Sequence, residues 1–281
     1  MVDASHSATG HIDAHDGKRL FYRWAPVETP RALLVVVHGF AEHSGRYQHV
    51  FDWMNARGYA CLGFDYRGHG RADGKARYVD SFQEYVQDTL RAMELGRARV
   101  GDVPLYLLGH SQGGLISLSL ALEYGDQISG LVVSSPSCGV AIEVPAWKEA
   151  LGRIAAIVAP GLSIPSGLDA NLLSHDPAVV QAYVDDPLIG TDARARWYVE
   201  FRRAQDRLLQ EAHRVSVPAL VMQAGSDTMA SPSASKAVFQ GLGSPEKRWI
   251  EYEGFYHELF NEPDKERVFG DVDDWLTSRL Q

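Results

Sequence analysis

A chain of 281 residues with 45% hydrophobic and 22% charged side chains can bury a sizeable core and lacks the bias of a disordered polymer. Its 27 basic against 36 acidic residues leave a formal charge of −9, which argues against nucleic acid as a partner and against tight attachment to anionic lipid, but leaves room for transient contact with a membrane surface through an apolar patch. There is no run of about 18 apolar residues, MVDASHSATG lacks the basic start of a signal peptide, and Cys61 and Cys138 are too few for a disulfide framework, so a soluble cytoplasmic protein is the expectation.

In chain order, the text opens with two short strands, about Gly10 to Ala14 and Arg19 to Trp24, joined by the turn signal Asp16-Gly17. Strand-like runs follow at Leu33 to Val37, Ala60 to Asp65, Leu105 to Leu108, Leu131 to Ser134, Ala219 to Gln223 and Arg248 to Tyr252. Most are uninterrupted Val, Leu and Ile, as expected of parallel strands buried on both faces. Helical text alternates with them. Phe82, Tyr85, Val86, Leu90 and Met93 form one stripe over about Ser81 to Leu95, and Val268, Val272, Trp275 and Leu276 form another near the end. This pattern predicts an α/β fold, a mostly parallel central sheet covered by helices on both faces.

Between residues 137 and 214 the alternation stops and proline-punctuated apolar text takes over. We read residues 1–136 and 215–281 as two parts of one core and 137–214 as an inserted helical cap. Pro145 would open a helix whose face is Trp147, Ala150, Leu151, Ile154 and Val158, and a second, arginine-rich helix from about Ala193 to Ala212 would return the chain to the core. The first face either packs on the core or belongs to a lid that receives an acyl chain.

Gly109-His110-Ser111-Gln112-Gly113 fits GxSxG and sits between the strand PLYLL and the helical run LISLSLALEYG. A tight strand-to-helix bend exposes a serine hydroxyl there, and the helix N-terminus lends positive potential to a developing anion. A hydroxyl is a poor nucleophile near neutrality and needs a base within reach, for which imidazole is suited. Of the downstream histidines, His175 falls inside the insertion and His213 ends a charged helix, whereas His257 follows a late strand in the turn FYH. Asp227 closes LVMQAGSD just after a strand, while Asp185, Asp186, Asp192 and Asp206 lie in or beside the insertion. The expected order of nucleophile, acid and base therefore selects Ser111, Asp227 and His257. Two backbone donors for the oxyanion are expected at Gln112 N–H and, in the loop after the third strand, at Phe40 N–H. His38, with His43, His49 and His69, has no metal-ligand spacing, and no phosphate-binding glycine motif occurs, so neither metal nor organic cofactor is expected.

HGFAEHSGRY (His38 to Tyr47), FDYRGHGRADG, GHSQGG, SGLDANLLSHDP and YHELFNEP together resemble the monoacylglycerol lipases and their lysophospholipase-like relatives, over nearly the whole chain. The resemblance implies the α/β-hydrolase fold and hydrolysis of one fatty-acyl ester on glycerol without a cofactor, with lysophospholipase or broad carboxylesterase activity as the alternative. It carries the roles above onto Ser111, Asp227, His257, Phe40 and Gln112. Glu42 and Arg46 fall where the family contacts the glycerol head or braces that loop, and both readings are open. Phe40 replaces a residue that is often smaller there. A scaffold without catalysis and a peptidase with an acidic pocket for an amine are the readings from other classes.

Overall fold

The computed structural model describes residues 8–140 and 146–280. Chain order runs through strands β1 (Ala8–Asp13), β2 (Arg19–Ala25), β3 (Ala32–Val37), β4 (Tyr59–Asp65), β5 (Leu105–His110), β6 (Gly130–Ser134), β7 (Ser163–Pro165), β8 (Asp192–Arg194), β9 (Ala219–Ala224) and β10 (Lys247–Tyr252). The helices are α1 (Gln48–Asn55), α2 (Gln83–Val100), α3 (Gln112–Tyr124), α4 (Ala146–Val158), α5 (Pro177–Asp185), α6 (Ala195–Glu211), α7 (Pro232–Gly241) and α8 (Lys265–Thr277). Eight strands form one sheet in the order β1-β2-β4-β3-β5-β6-β9-β10. β1 and β2 enter it antiparallel, and β4 to β10 along that order are parallel. Gly17, at φ +80°, turns the first hairpin, a conformation that only glycine adopts without a steric penalty.

The core follows from alternation along the central strands. Leu33, Val35 and Val37 of β3 face a layer containing Val86 and Met93 of α2 and Leu115 and Ile116 of α3. Leu34 and Val36 face the other way, toward Phe51 and Met54 of α1 and Val268, Val272 and Leu276 of α8. Both faces of β3, β4 and β5 are therefore fully covered, and an unbroken apolar run is what such a strand requires. β10 is the exception, because it lies at the sheet edge and is largely half-exposed.

The excursion between β6 and β9 carries α4, α5, α6 and the small antiparallel pair β7–β8. Ala193, expected at the start of a helix, instead pairs with Ile164, and the helix begins at Ala195. Pro145, expected in the first turn of α4, lies outside the described residues. The apolar face of α4 does not pack on the core. Trp147, Leu151, Ile154 and Val158 are all more than half exposed, and so is Ile157, at 77%. By contrast α6 presents Trp197, Phe201, Ala204 and Leu208 to the core cluster.

This difference has a stability consequence. Substituting Ile154 and Ile157 with Gln should leave the unfolding free energy within about 0.5 kcal/mol of the parent, whereas Leu208→Ala, at 0% exposure, should cost about 2–5 kcal/mol, both read from denaturant midpoints.

Candidate active site

Ser111 joins β5 to α3 with φ +53° and ψ −117°. A non-glycine residue in that region costs about 1–3 kcal/mol and persists only where the surroundings impose it. Here they do. Ser111 N–H donates to the Ser134 carbonyl at 2.9 Å, and its own carbonyl accepts from Ser137 N–H at 3.0 Å. A Cβ on Gly113 would stand 1.9 Å from the Val37 carbonyl oxygen, and one on Gly109 would stand 2.5 Å from that of Gly113. The two flanking glycines are thus demanded by close approach of backbones.

The bend brings three distant side chains together. His257 Nε2 lies 2.9 Å from Ser111 Oγ, and His257 Nδ1 lies 2.8 Å from Asp227 Oδ2. Asp227 is held on the loop after β9 by Met229 N–H and Ala230 N–H, which donate to Oδ1 at 2.9 and 3.0 Å, and by the Gln223 side-chain amide, which donates to Oδ2 at 3.1 Å. Four bonds leave the carboxylate no freedom to rotate, so it fixes the ring as well as charging it. Burial would raise the Asp227 pKa, but the His257 charge and these donors outweigh it and hold the carboxyl below its ordinary range. Burial pulls His257 down, and the Asp227 carboxylate, through charge and hydrogen bond, brings it above the usual imidazole value. The ring thus donates from Nδ1 and accepts the serine proton at Nε2.

His110, whose ring centroid is 4.8 Å from that of His257, is forced by burial down to about 3 and puts no charge beside it. The excursion braces the histidine loop, since the carbonyls of Leu172 and Leu173 accept from His257 N–H and Glu258 N–H at 3.4 and 2.9 Å.

The geometry near Phe40 follows from one locked peptide. The Gly39 carbonyl accepts from the Tyr66 hydroxyl at 2.6 Å and pairs with His38 Nδ1 at 2.8 Å. Burial holds His38 at about 3, so its ring is neutral and Nδ1 carries the proton donated to that carbonyl. A trans peptide directs its N–H opposite to its carbonyl, so pinning Gly39 C=O aims Phe40 N–H away from Tyr66. Gln112 is the first residue of α3, and its N–H has no intrahelical acceptor. Its side chain bridges two elements, donating to Tyr66 Oη at 3.1 Å and accepting from Trp197 Nε1 of α6 at 3.1 Å.

Glu42 and Arg46 meet in a buried cluster together with a residue that sequence reasoning passed over. Arg46 donates to Glu42 Oε2 at 3.0 Å and grips Glu258 with two bonds of 2.5 and 2.8 Å. Glu42 Oε1 also accepts from Gly39 N–H and from the Tyr47 hydroxyl. Burial would raise Glu258, but the Arg46 charge and bonds win and hold it at about 2, whereas burial together with the Glu258 charge raises Glu42. Glu258 stands within YHELFNEP, where nothing in the text assigns it a role, and only its place beside the base could have flagged it. Ser137, with Oγ 3.0 Å from Ser111 Oγ, was also missed.

The remaining candidates lie elsewhere. His175 stacks on Tyr256 and pairs with Glu262, and His213 is exposed. Asp186 pairs with His43, Asp192 pairs with Arg77, and Asp185 and Asp206 are exposed. His49 and His69 approach the carbonyls of Phe260 and Arg67.

Ser111 and His257 open into a cavity of about 420 Å³. Its walls are mostly apolar side chains of the excursion, Ile164, Leu168, Leu173, Trp197 and Phe201 among them, with Glu42 and Glu258 at one side.

This fold and this site define a serine hydrolase of the α/β-hydrolase type. Residues 28–264 match the family described as serine aminopeptidase, S33, and the chain belongs to that family. It is 32% identical to a monoacylglycerol lipase of Mycolicibacterium smegmatis over 269 residues, 94% of this chain and 95% of the relative. A phospholipase of Bacillus subtilis is 32% identical over 244 residues, 86% and 93% of the two chains. The crystal structure of a monoacylglycerol lipase from Paleococcus ferrophilus superposes with a TM-score of 0.84 at 32% identity, covering 92% of this chain and 99% of that one. With these relatives, the chain is a carboxylic ester hydrolase.

Because His257 must be neutral to accept a proton, its raised pKa places the acid limb of kcat/KM above the ordinary imidazole value of 6.5. Asp227→Asn removes the carboxylate and leaves burial opposed only by the weaker pull of Glu258 and Glu42. That limb should then move to lower pH while kcat falls by about 10⁴-fold, as a pH–rate profile of both proteins will measure.

Proposed function

We propose that this enzyme hydrolyses monoacylglycerols to fatty acid and glycerol through an acyl-enzyme on Ser111, with His257 as general base and Asp227 orienting it. The observation that carries the reading is an apolar cavity that ends at Ser111 and whose two carboxylates are both hydrogen-bonded to Arg46. An acyl chain suits such walls. Ser111 Oγ attacks the ester carbonyl carbon as its proton passes to His257 Nε2, and the tetrahedral oxyanion accepts from Gln112 N–H and Phe40 N–H. His257 then protonates the departing glycerol oxygen, the acyl group stays on Ser111, and water repeats the sequence.

Residues 137–214 act in this reading as a cap. Its α6 closes the cavity over the nucleophile, and α4 holds its apolar residues outward. Monoacylglycerols collect in lipid aggregates, and the exposed Trp147, Leu151, Ile154, Ile157 and Val158 of α4 suit transient contact with such a surface. The buried, unpaired Cys61 and Cys138 suit a reducing cytoplasm. Glu42 and Arg46 brace the loop that carries Phe40 and thereby set the polar end of the cavity. Glu42 spends its oxygens on Gly39, Tyr47 and Arg46, which supports bracing over direct glycerol binding. The same pairing disfavours an aminopeptidase, since the carboxylate oxygens that an ammonium group would need already accept from Arg46, Gly39 and Tyr47.

The phospholipase relative favours lysophospholipids as the second substrate class. Rates on monoacylglycerols, lysophospholipids and methyl esters of one fatty acid separate the readings. We expect glyceryl esters to exceed methyl esters about tenfold in kcat/KM, an amount within reach of one or two polar head-group contacts. Equal rates would reduce the enzyme to a general carboxylesterase. A fluorophosphonate probe should label the wild type at Ser111, and Ser111→Ala should abolish both labelling and turnover.

Contact with aggregates has its own readout. Ile154→Glu with Ile157→Glu should raise the apparent KM several-fold on dispersed long-chain monoacylglycerol and leave that for a water-soluble short-chain ester unchanged.

A further inference from the structure

The cavity is lined near Ser111 by Val140, Leu168 and Phe201, yet it also contains the hydroxyl of Ser137, which is only 9% exposed. A buried hydroxyl among apolar side chains costs stability unless it has a partner. Its partner is the nucleophile, with Ser137 Oγ 3.0 Å from Ser111 Oγ. The direction of that bond follows from proton bookkeeping. His257 donates its Nδ1 proton to Asp227, so Nε2 is an acceptor and takes the single proton of Ser111. Ser111 Oγ therefore has only lone pairs left to offer, and Ser137 is the donor.

The placement of Ser137 is built into the backbone. Ser135 holds φ +42° immediately before Pro136, where the chain is strained. Ser137 N–H then donates to the Ser111 carbonyl at 3.0 Å, and the Ser137 carbonyl accepts from the Gln205 side chain of α6 at 2.8 Å. Gln205 is 2% exposed, and Arg202 secures its other end by donating to Oε1 at 2.9 Å.

We propose that Ser137 is a further catalytic residue, which donates a hydrogen bond to the nucleophile oxygen and stabilises the charge that returns to this oxygen when the acyl-enzyme is hydrolysed. The proposal rests on Ser111 being the acylated residue. In deacylation, water adds to the acyl carbonyl carbon and gives its proton to His257 Nε2. The bond from that carbon to Ser111 Oγ then breaks, and its electron pair goes to Oγ. His257 returns its proton to the same oxygen, and the fatty acid leaves. Ser137 keeps its own proton throughout and offers it as a donor at the atom where the charge collects. In acylation the same donor sits on an attacking oxygen, whose lone pairs it holds back, so the benefit belongs to the second half of the cycle.

The test compares Ser137→Ala and Ser137→Thr with the wild type in steady-state ester turnover, in the pre-steady-state burst of released alcohol, and in the rate of Ser111 labelling by a fluorophosphonate, which reports attack alone. For the Ala variant we expect kcat about tenfold lower, a larger burst as acyl-enzyme accumulates, and labelling slowed by about twofold at most. Thr should restore turnover to within about threefold. Unchanged turnover in the Ala variant overturns the proposal. Parallel loss of labelling and turnover overturns it too, since that marks a general disturbance of the site. So does failure of a Thr variant whose thermal midpoint equals that of the wild type. A wild type that is not labelled at Ser111 removes the underlying reading as well, and peptide mass analysis distinguishes that result from the others.

Discussion

The close passage of α3 under the loop after β3 is the constraint from which the rest of the site follows. At Gly113 the backbone comes so near the Val37 carbonyl that no side chain fits, and this proximity is what would let two chain segments more than 70 positions apart share the anion site proposed for Phe40 and Gln112. It also forces Ser111 into its left-handed conformation, so the strain at the serine is the other side of the same contact. Relaxing the bend would free the serine backbone but would separate Gln112 N–H from Phe40 N–H, and neither donor alone makes a pocket for charge. The sheet exists, in functional terms, to hold this crossing still. Its central strands are covered on both faces, and a packed interior transmits little slack.

A second constraint ties the loops to one another. Arg46 holds Glu42 from its own loop and Glu258 from the loop of His257, so one guanidinium joins the oxyanion side of the site to its base. Two carboxylates and one cation leave a net negative charge close to the imidazole, and the burial cost of the cluster is repaid only because its donors are nearly all matched. That charge adds to the effect of Asp227 on His257. The base is therefore tuned by residues on both sides of the ring, and the loop bracing cannot be separated from the proton chemistry.

Much of this was legible in the text, and the exceptions share a cause. Runs such as ALLVVV and YLLGH can only be buried strands, and the GxSxG pattern acquires meaning from the strand and helix beside it. Ser111, Asp227 and His257 could be singled out because each follows a strand, and the chemistry demands one of each type. Ser137 and Glu258 could not. Ser137 lies past the end of a strand and Glu258 stands beside the base inside YHELFNEP, and the importance of each comes from where a different segment puts its side chain. Short elements escaped for a related reason: α1 spans eight residues, too few turns for a periodic stripe to stand out, and β7 with β8 is made by pairing between distant tripeptides. For α4, periodicity found the apolar face but had no means of saying what covers it.

Two helices of the excursion, α4 and α6, divide its work in a way that periodicity does not reveal. α6 carries a hydrophobic face of Trp197, Phe201 and Leu208, and two of its polar atoms reach the bend from either side, Trp197 Nε1 to the Gln112 side chain and Gln205 Nε2 to the Ser137 carbonyl. Moving α6 would therefore disturb both neighbours of the nucleophile. The large apolar residues of α4, Trp147, Leu151, Ile154, Ile157 and Val158, are by contrast more than half exposed. Displacing α6 would break both of those bonds, whereas displacing α4 would leave them in place. The inner helix thus belongs mechanically to the catalytic core despite lying in the excursion, whereas the outer helix keeps Trp147, Leu151, Ile154, Ile157 and Val158 exposed.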